Sequence, residues 1–147
     1  MYMAVKKYEL VPKTNVYREF VNWTESQNIA VKDLFENLLV YAKIFNSLMN
    51  EDVSKIDKKL RNSIIDFRKI NSNIPLTFVF ETYRLYTESK ITADILNELI
   101  HTINGYMLRR SICDLNSQNI SKLFPTVLKK VLEKCQNEDS NRVKSVQ

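Results

Sequence analysis

Glycine is almost absent from this chain: Gly105 is the only one among 147 residues, and there are three prolines. Hairpin turns, β-bulges and the turns that join strands to helices usually need glycine, because glycine alone adopts left-handed backbone without a steric cost. A fold built on a sheet is therefore disfavoured, and we expect an all-α fold. A chain of this length fits one domain whose core needs no disulfide and no metal.

Histidine and cysteine are also scarce, with His101, Cys113 and Cys135 as the complete set. Serine and cysteine nucleophiles usually work with a histidine base, and His101 falls on the polar side of its predicted helix, distant in sequence from both cysteines. One histidine and two separated cysteines lack the spacing of a zinc site, and one glycine cannot form a phosphate-binding loop. The sequence predicts a chain that is not an enzyme and holds no cofactor and no metal.

Long apolar runs are missing too, since none approaches the ~18 residues that a membrane span needs. The N-terminus lacks the apolar core of a signal peptide, and two cysteines at apolar helical positions suit a reducing compartment. We therefore expect a cytoplasmic protein with no membrane partner. Lysine and arginine total 22 against 17 acidic residues, a formal net charge of +5, which permits contact with a polyanion without requiring it.

Apolar residues recur at helical spacing along most of the chain. This periodicity predicts a single compact bundle of about six helices over residues 15–136. Residues 1–14 are expected to form an N-terminal tail or docking strand, and residues 137–147 a disordered C-terminal tail.

Two of the predicted helices have distinctive patterns. The helix over residues 31–49 is amphipathic, and its expected buried arc consists of Leu34, Leu38, Tyr41, Phe45 and Leu48. The helix that starts at Pro75 is apolar nearly all round, apart from a strip of Glu81, Arg84 and Glu88. We expect this second helix to lie at the centre of the bundle.

Basic side chains cluster in the predicted helix between these two. We expect it to start at Ser54 and to carry only Asp57 and Asp66 as acids. Clustered cations on one helix are able to meet DNA phosphates. A solvated face is the simpler interpretation, because no aromatic residues are interleaved for base stacking. The candidate DNA contacts are Lys55, Lys58, Lys59, Arg61, Arg68 and Lys69.

An arginine pair interrupts the packing face of the fifth predicted helix, in the stretch YMLRRSICDLNSQNISKLF at residues 106–124. Arg110 falls in the middle of that face and Arg109 at its margin. An unpaired buried charge costs several kcal/mol, so Arg110 needs acceptors, and the polar turn after the helix offers them. Arg110 either ties this turn to the core or, together with Arg109, binds an anion, and Arg109 is expected to be the more exposed.

The same stretch resembles the tyrosine–x–x–arginine–arginine–x–x–cysteine signature of the domain-of-unknown-function 262 family, relatives of the GmrS/GmrD modification-dependent (type IV) restriction proteins. Its positions here are Tyr106, Arg109, Arg110 and Cys113. The segments LLVYAKIFNSLMN and LRNSIIDFRKINSNIPLTFVFETY are similar to family segments in the same order, so the resemblance covers residues 30–132. Asp114 stands where the family commonly has a turn glycine, and Ser121 where asparagine is usual.

This resemblance implies a fragment of a larger protein. Family members have a ParB-like nucleotide-binding domain with an Asp–Gly–Gln–Gln–Arg motif, and many have a His–Asn–His nuclease; neither motif occurs here. The chain would be a non-catalytic helical module of a prokaryotic restriction or anti-phage defence protein, packed against the ParB-like domain and positioning a nuclease, with DNA as a further partner. The full-length parent would be a nucleotide-dependent endonuclease. The alternative is a stand-alone helical interaction or nucleic-acid-binding protein.

Overall fold

The computed structural model of this chain describes residues 2–7, 11–115, 120 and 122–144, with side chains described up to residue 133. Within these ranges the chain forms seven α-helices, two short 3₁₀ turns and no strand, which confirms the predicted all-α fold. The helices are α1 (Tyr2–Lys7), α2 (Val16–Gln27), α3 (Val31–Met49), α4 (Arg61–Ile70), α5 (Leu76–Thr87), α6 (Ala93–Ile112) and α7 (Leu123–Lys144).

Helix α5 lies at the centre of the bundle, as its all-round apolar sequence predicts. Eight consecutive residues, from Leu76 to Tyr83, are buried, and α5 packs against α1, α3, α6 and α7. Pro75 immediately precedes the helix, where its missing N–H costs nothing. Arg84 pairs with Glu81 and Glu88 in the predicted charged strip of this helix, and Glu81 is buried, with only 4% of its surface exposed.

Helices α4 and α6 form the other half of the core. Leu60, Ile64 and Phe67 are buried on the α4 side, and Leu96 and Ile100 are fully buried on the α6 side. Thr92 caps the start of α6, because its Oγ1 accepts the N–H of Ile95 at 3.3 Å.

The start of α4 differs from the prediction. Asp52 accepts the N–H of Ser54, and Asp57 accepts the N–H of Lys59, each at 2.9 Å. These two turns interrupt the helix that we expected from Ser54, and α4 begins only at Arg61. Aspartate competes for nearby backbone N–H groups in this way and favours turns over helix interiors.

Both ends of the chain are more helical than the sequence predicts. Residues 2–7, expected to be part of a tail, form α1, and its Met3, Ala4 and Val5 are buried. Helix α7 continues to Lys144, past residue 137, where we expected a tail to start. Pro125 lies in the first turn of α7, where the missing N–H is tolerated because the first N–H groups of a helix have no partner within it.

Four helices end without glycine at a residue with left-handed backbone. The φ angles are +47° at Asn28, +49° at Asn71, +58° at Ser89 and +50° at Asp114. Asparagine and aspartate tolerate this conformation better than most residues, because their short polar side chains form local hydrogen bonds. The chain therefore makes its helix ends with polar residues, and this explains how it manages with a single glycine.

Candidate functional site

The four family-signature residues lie in the last two turns of α6. Arg109 is exposed, as expected, and Arg110 and Tyr106 are half-buried. The Arg110 guanidinium stacks on the Tyr106 ring at 5.8 Å from its centroid, and that ring contacts Phe124 of α7. The signature thus joins α6 to α7, and Arg110 also makes a further interaction within the chain.

The backbone at the end of α6 forms a compact hydrogen-bonded turn. The Leu115 N–H donates to the Arg110 carbonyl at 3.1 Å, and the Asp114 N–H donates to the Ser111 carbonyl at 3.2 Å. This is a Schellman motif with Asp114 at the position that usually holds glycine. The acceptors that we expected for Arg110 at Asn116, Ser117 and Asn119, together with Ser121, lie outside the described residues.

Cys113 differs from its expected place on the packing face. It is exposed and carries a free thiol at the end of α6, where the last turn directs it away from the core. The side chain of Cys135 lies outside the described residues. His101 is exposed, in agreement with its predicted position on the polar side of the helix.

The six candidate DNA contacts do not form one cationic face. Lys55, Lys58 and Lys59 precede α4, and the other three lie on the helix. Arg61 donates to the carbonyls of Ile56 and Ser54, and Lys59 pairs with Asp94 on α6 at 2.7 Å.

Arg68 has the most extensive structural role of this set. Its Nε donates to the Leu48 carbonyl at 2.7 Å, and its two terminal nitrogens donate to the carbonyls of Ser47 and Glu51 at 3.0 Å. These carbonyls lie at the C-terminal end of α3, where a cation is favourable. Arg68 therefore fastens the end of α3 to α4.

The remaining three basic side chains differ in their contacts. Lys69 pairs with Asp66 at 3.2 Å on the surface of α4. The side chains of Lys55 and Lys58 form no hydrogen bond or ion pair with any residue in the described ranges. Four of the six basic side chains thus serve intramolecular contacts, and two remain available to an external anion.

Helix α3 exposes a set of large apolar side chains. Val31 is 69% exposed, Phe35 67% and Leu39 55%, at intervals of four residues that align them along the helix. Val40 and Phe45 are also exposed, at other positions around the helix, although Phe45 was predicted to be buried. We call the surface of the aligned row the α3 face; its residues are Val31, Phe35 and Leu39.

Burial on α3 is confined to its second half. Only Tyr41, Ile44 and Leu48 are buried, and Leu34 and Leu38 are half-buried. Leu38 also lines a groove of about 440 Å³ beside α2, together with Val16, Tyr17 and Phe20. The apolar surface of α3 thus continues toward α2.

An aromatic cluster at the opposite side of α3 holds the N-terminal helix in place. The Lys6 ammonium lies 5.4 Å from the ring centroid of Tyr2, 6.0 Å from that of Trp23 and 5.1 Å from that of Tyr41. Burial lowers the pKa of Lys6, the nearby Glu81 carboxylate opposes this change, and Arg84 reinforces it. These cation–π contacts anchor α1 against α2 and α3.

Glu81 and Arg84 form the principal charged pair within α5. The Arg84 Nε donates to Glu81 Oε1 at 2.9 Å, and Arg84 also pairs with Glu88. The hydrogen bond to Glu81 is the main reason why the pKa of Arg84 is raised above its usual range. The pair neutralises a carboxylate that the helix buries against α1.

Comparison of the chain with known protein families, with curated protein sequences and with solved structures finds no match. The resemblance described above therefore stays a prediction. No helix in the described ranges is both long and apolar enough to span a bilayer. The described side chains also include no cluster of histidine, cysteine and acidic residues suited to a metal ion.

The α3 face is the main surface that helical periodicity did not predict. The sequence does contain a signal for it, since Val31, Phe35 and Leu39 are large apolar residues outside the predicted buried arc. Single surface hydrophobic residues are normal, whereas a contiguous row along one helix indicates an interaction surface.

Proposed function

We propose that this chain is a non-catalytic helical module of a prokaryotic restriction or anti-phage defence protein, and that it packs through the α3 face against another domain of that protein. The observation that carries the proposal is the row of Val31, Phe35 and Leu39, each more than half exposed. Soluble proteins seldom leave such a contiguous apolar row in water unless it contacts a partner.

The composition of the α3 face suits a domain interface more than a nucleic acid. Its three members are uncharged, and the adjacent Lys32 and Glu36 are oppositely charged and 3.9 Å apart. A nucleic-acid site would need unpaired cations in this position, because phosphate neutralisation dominates such binding. An apolar centre with a balanced charged margin is typical of protein–protein contacts.

The partner in this proposal is the ParB-like nucleotide-binding domain that the family resemblance implies. Docking would cover Phe35 and Leu39 and give the first half of α3 a second packing partner, which it lacks among the described residues. The module would then position the other domains of the parent protein without itself touching a nucleotide.

The natural reading frame tests the family part of the proposal. We expect codons upstream of this segment to encode a domain with the Asp–Gly–Gln–Gln–Arg motif. A natural gene that encodes this segment alone would overturn the assignment to a multidomain restriction protein.

The alternative function, a stand-alone nucleic-acid-binding protein, is favoured by one observation: the side chains of Lys55 and Lys58 have no hydrogen-bond or ion-pair partner among the described residues. Duplex DNA binding measured against salt concentration decides it. Our proposal predicts weak binding that a Lys55→Glu, Lys58→Glu double variant barely changes, because two phosphate contacts give little affinity at physiological salt. Tight binding that this variant removes would support the alternative instead.

A further inference from the structure

A second surface, separate from the α3 face, lies between α4 and α6. It is a cleft of about 890 Å³ between the end of α4, the loop that follows it, and the second half of α6. Its apolar lining includes Ile70, Ile74, Met107 and Leu108. A cleft of this size lies within the range of ligand-binding sites.

Asn104 lines this cleft and has an unused hydrogen-bond acceptor. It is 7% exposed, and its Nδ2 donates to the Ser63 carbonyl at 2.8 Å. A carbonyl can only accept a hydrogen bond, so the nitrogen of the Asn104 amide must face Ser63, and Oδ1 points away from this carbonyl. Oδ1 is buried and has no hydrogen-bond partner among the described residues, which is costly for an amide oxygen in a protein interior.

Gly105, the next residue, also lines the cleft, and the fold itself gives no reason for a glycine there. It lies inside α6 without a positive φ, and a Cβ would meet nothing closer than the Arg109 guanidinium at 3.4 Å. Glycine in a helix interior is destabilising relative to alanine. Its missing side chain leaves the backbone of α6 open to close approach beside Asn104.

The charges around the cleft are balanced. Asp66 pairs with Lys69 at 3.2 Å, and the remaining charged lining residues are Asp114 and Arg110, one of each sign. His101 at the edge adds at most one positive charge. The cleft therefore has no strong preference for a polyanion and suits an uncharged ligand.

The length of the cleft indicates how much of a ligand it holds. From His101 to Ser111 it follows ten residues of α6, which is about 15 Å at 1.5 Å per residue. An extended peptide rises about 3.3 Å per residue, so about five residues match this length.

We propose that this cleft binds an extended, uncharged and largely apolar peptide segment of about five residues. One backbone N–H of the peptide donates to Asn104 Oδ1. The peptide lies along α6 and its backbone comes closest to the helix at Gly105. Because Oδ1 is closed to solvent in the free chain, binding includes a shift of side chains at the cleft. Leu108, which is 56% exposed, moves at little cost in buried area.

Selection from a library of random seven-residue peptides, followed by fluorescence anisotropy with the selected peptides, tests this site. We expect uncharged apolar sequences that bind the wild-type chain. Gly105→Ala is expected to weaken binding at least tenfold and to raise the melting temperature, and Gly105→Leu to weaken binding further. A purely structural role of Gly105 would not lower affinity while stability rises.

Two controls complete the experiment. Asn62→Ala on the exposed surface of α4 replaces a residue of low helix propensity outside the cleft, and should leave affinity unchanged. N-methylation of the peptide amides, one at a time, should abolish binding at one internal position, where the N–H meets Asn104. Failure to select any peptide, selection of charged sequences, or equal binding by Gly105→Leu would overturn the proposal, whatever the α3 face binds.

Discussion

Helices α3 and α5 pack against each other, yet they are buried to very different extents. Helix α5 buries eight consecutive residues on all sides, whereas α3 buries three of its 19 residues, all in its second half. Both helices have large apolar residues at many positions. Apolar content therefore does not decide burial here, whereas the number of neighbouring helices does. Helix α3 has apolar residues for one more neighbour than the described part of the chain supplies.

The largest expected effect compares one phenylalanine from each helix. Phe80 is fully buried on α5 and stacks on Tyr41 at 5.2 Å, so Phe80→Ala should lower the free energy of unfolding by about 3–5 kcal/mol. Phe35→Ala on the α3 face should cost less than about 0.5 kcal/mol in the isolated chain. Urea unfolding of both variants measures the difference, and similar losses would break the comparison.

The next effect concerns the C-terminal end of α3, which Arg68 binds through hydrogen bonds. Arg68→Ala removes three hydrogen bonds to carbonyls at the end of α3 and should destabilise the chain by about 2–3 kcal/mol. Lys69→Ala, which removes an exposed ion pair on the same helix, should cost less than about 0.5 kcal/mol. Thermal unfolding provides the measurement. A small loss for Arg68→Ala would mean that packing alone holds α3.

The end of α5 offers a stabilising change. Ser89 has a φ of +58° in a turn where the Lys90 N–H donates to the Leu85 carbonyl, so Ser89→Gly should raise stability by about 0.5–1 kcal/mol. A Lys43→Gly replacement, at an exposed position inside α3, should lower stability by about 1 kcal/mol. Denaturant unfolding should therefore give opposite signs, and a loss at Ser89 would argue against a left-handed helix end.

The smallest effect is a pH dependence at the same end of α5. A hydrogen bond from Lys90 is the main cause that lowers the pKa of Glu88 below its usual value, with Arg84 contributing. The contribution of these interactions to the free energy of unfolding is present above the pKa of about 4.3 that the carboxyl has in the unfolded chain. It is lost as the pH falls through the lower pKa of the folded chain. Glu88→Gln should therefore cost about 0.5 kcal/mol at pH 7 and less at pH 3. An equal cost at both values would contradict the ion pairing.

Much of the fold could be predicted from the sequence because local rules act there. The central position of α5 follows from its all-round apolar pattern, and the start of α6 from Thr92 as a cap. The break before α4 was missed because Asp52 and Asp57 form turns that compete with a helix of suitable periodicity. Helix α1 was missed because its burial depends on tertiary contacts of Lys6 and Tyr2 with distant rings.

The candidate sites were less predictable than the fold. Six basic residues looked alike in the sequence, and only the structure distinguishes Arg68, which serves the end of α3, from Lys58, which has no partner in the described ranges. The α3 face was hidden for a related reason. Periodicity identifies several apolar arcs on a helix but does not reveal which of them finds a neighbour.

The central claim, that the α3 face docks another domain, is tested most directly by isothermal titration calorimetry. The titrant is the ParB-like domain that we expect upstream in the natural reading frame. We predict binding by the wild-type chain, and a loss of at least tenfold in affinity for Phe35→Glu, whose own stability should remain near that of the wild type. Binding of equal strength by Phe35→Glu, or no binding by the wild-type chain, would contradict the account.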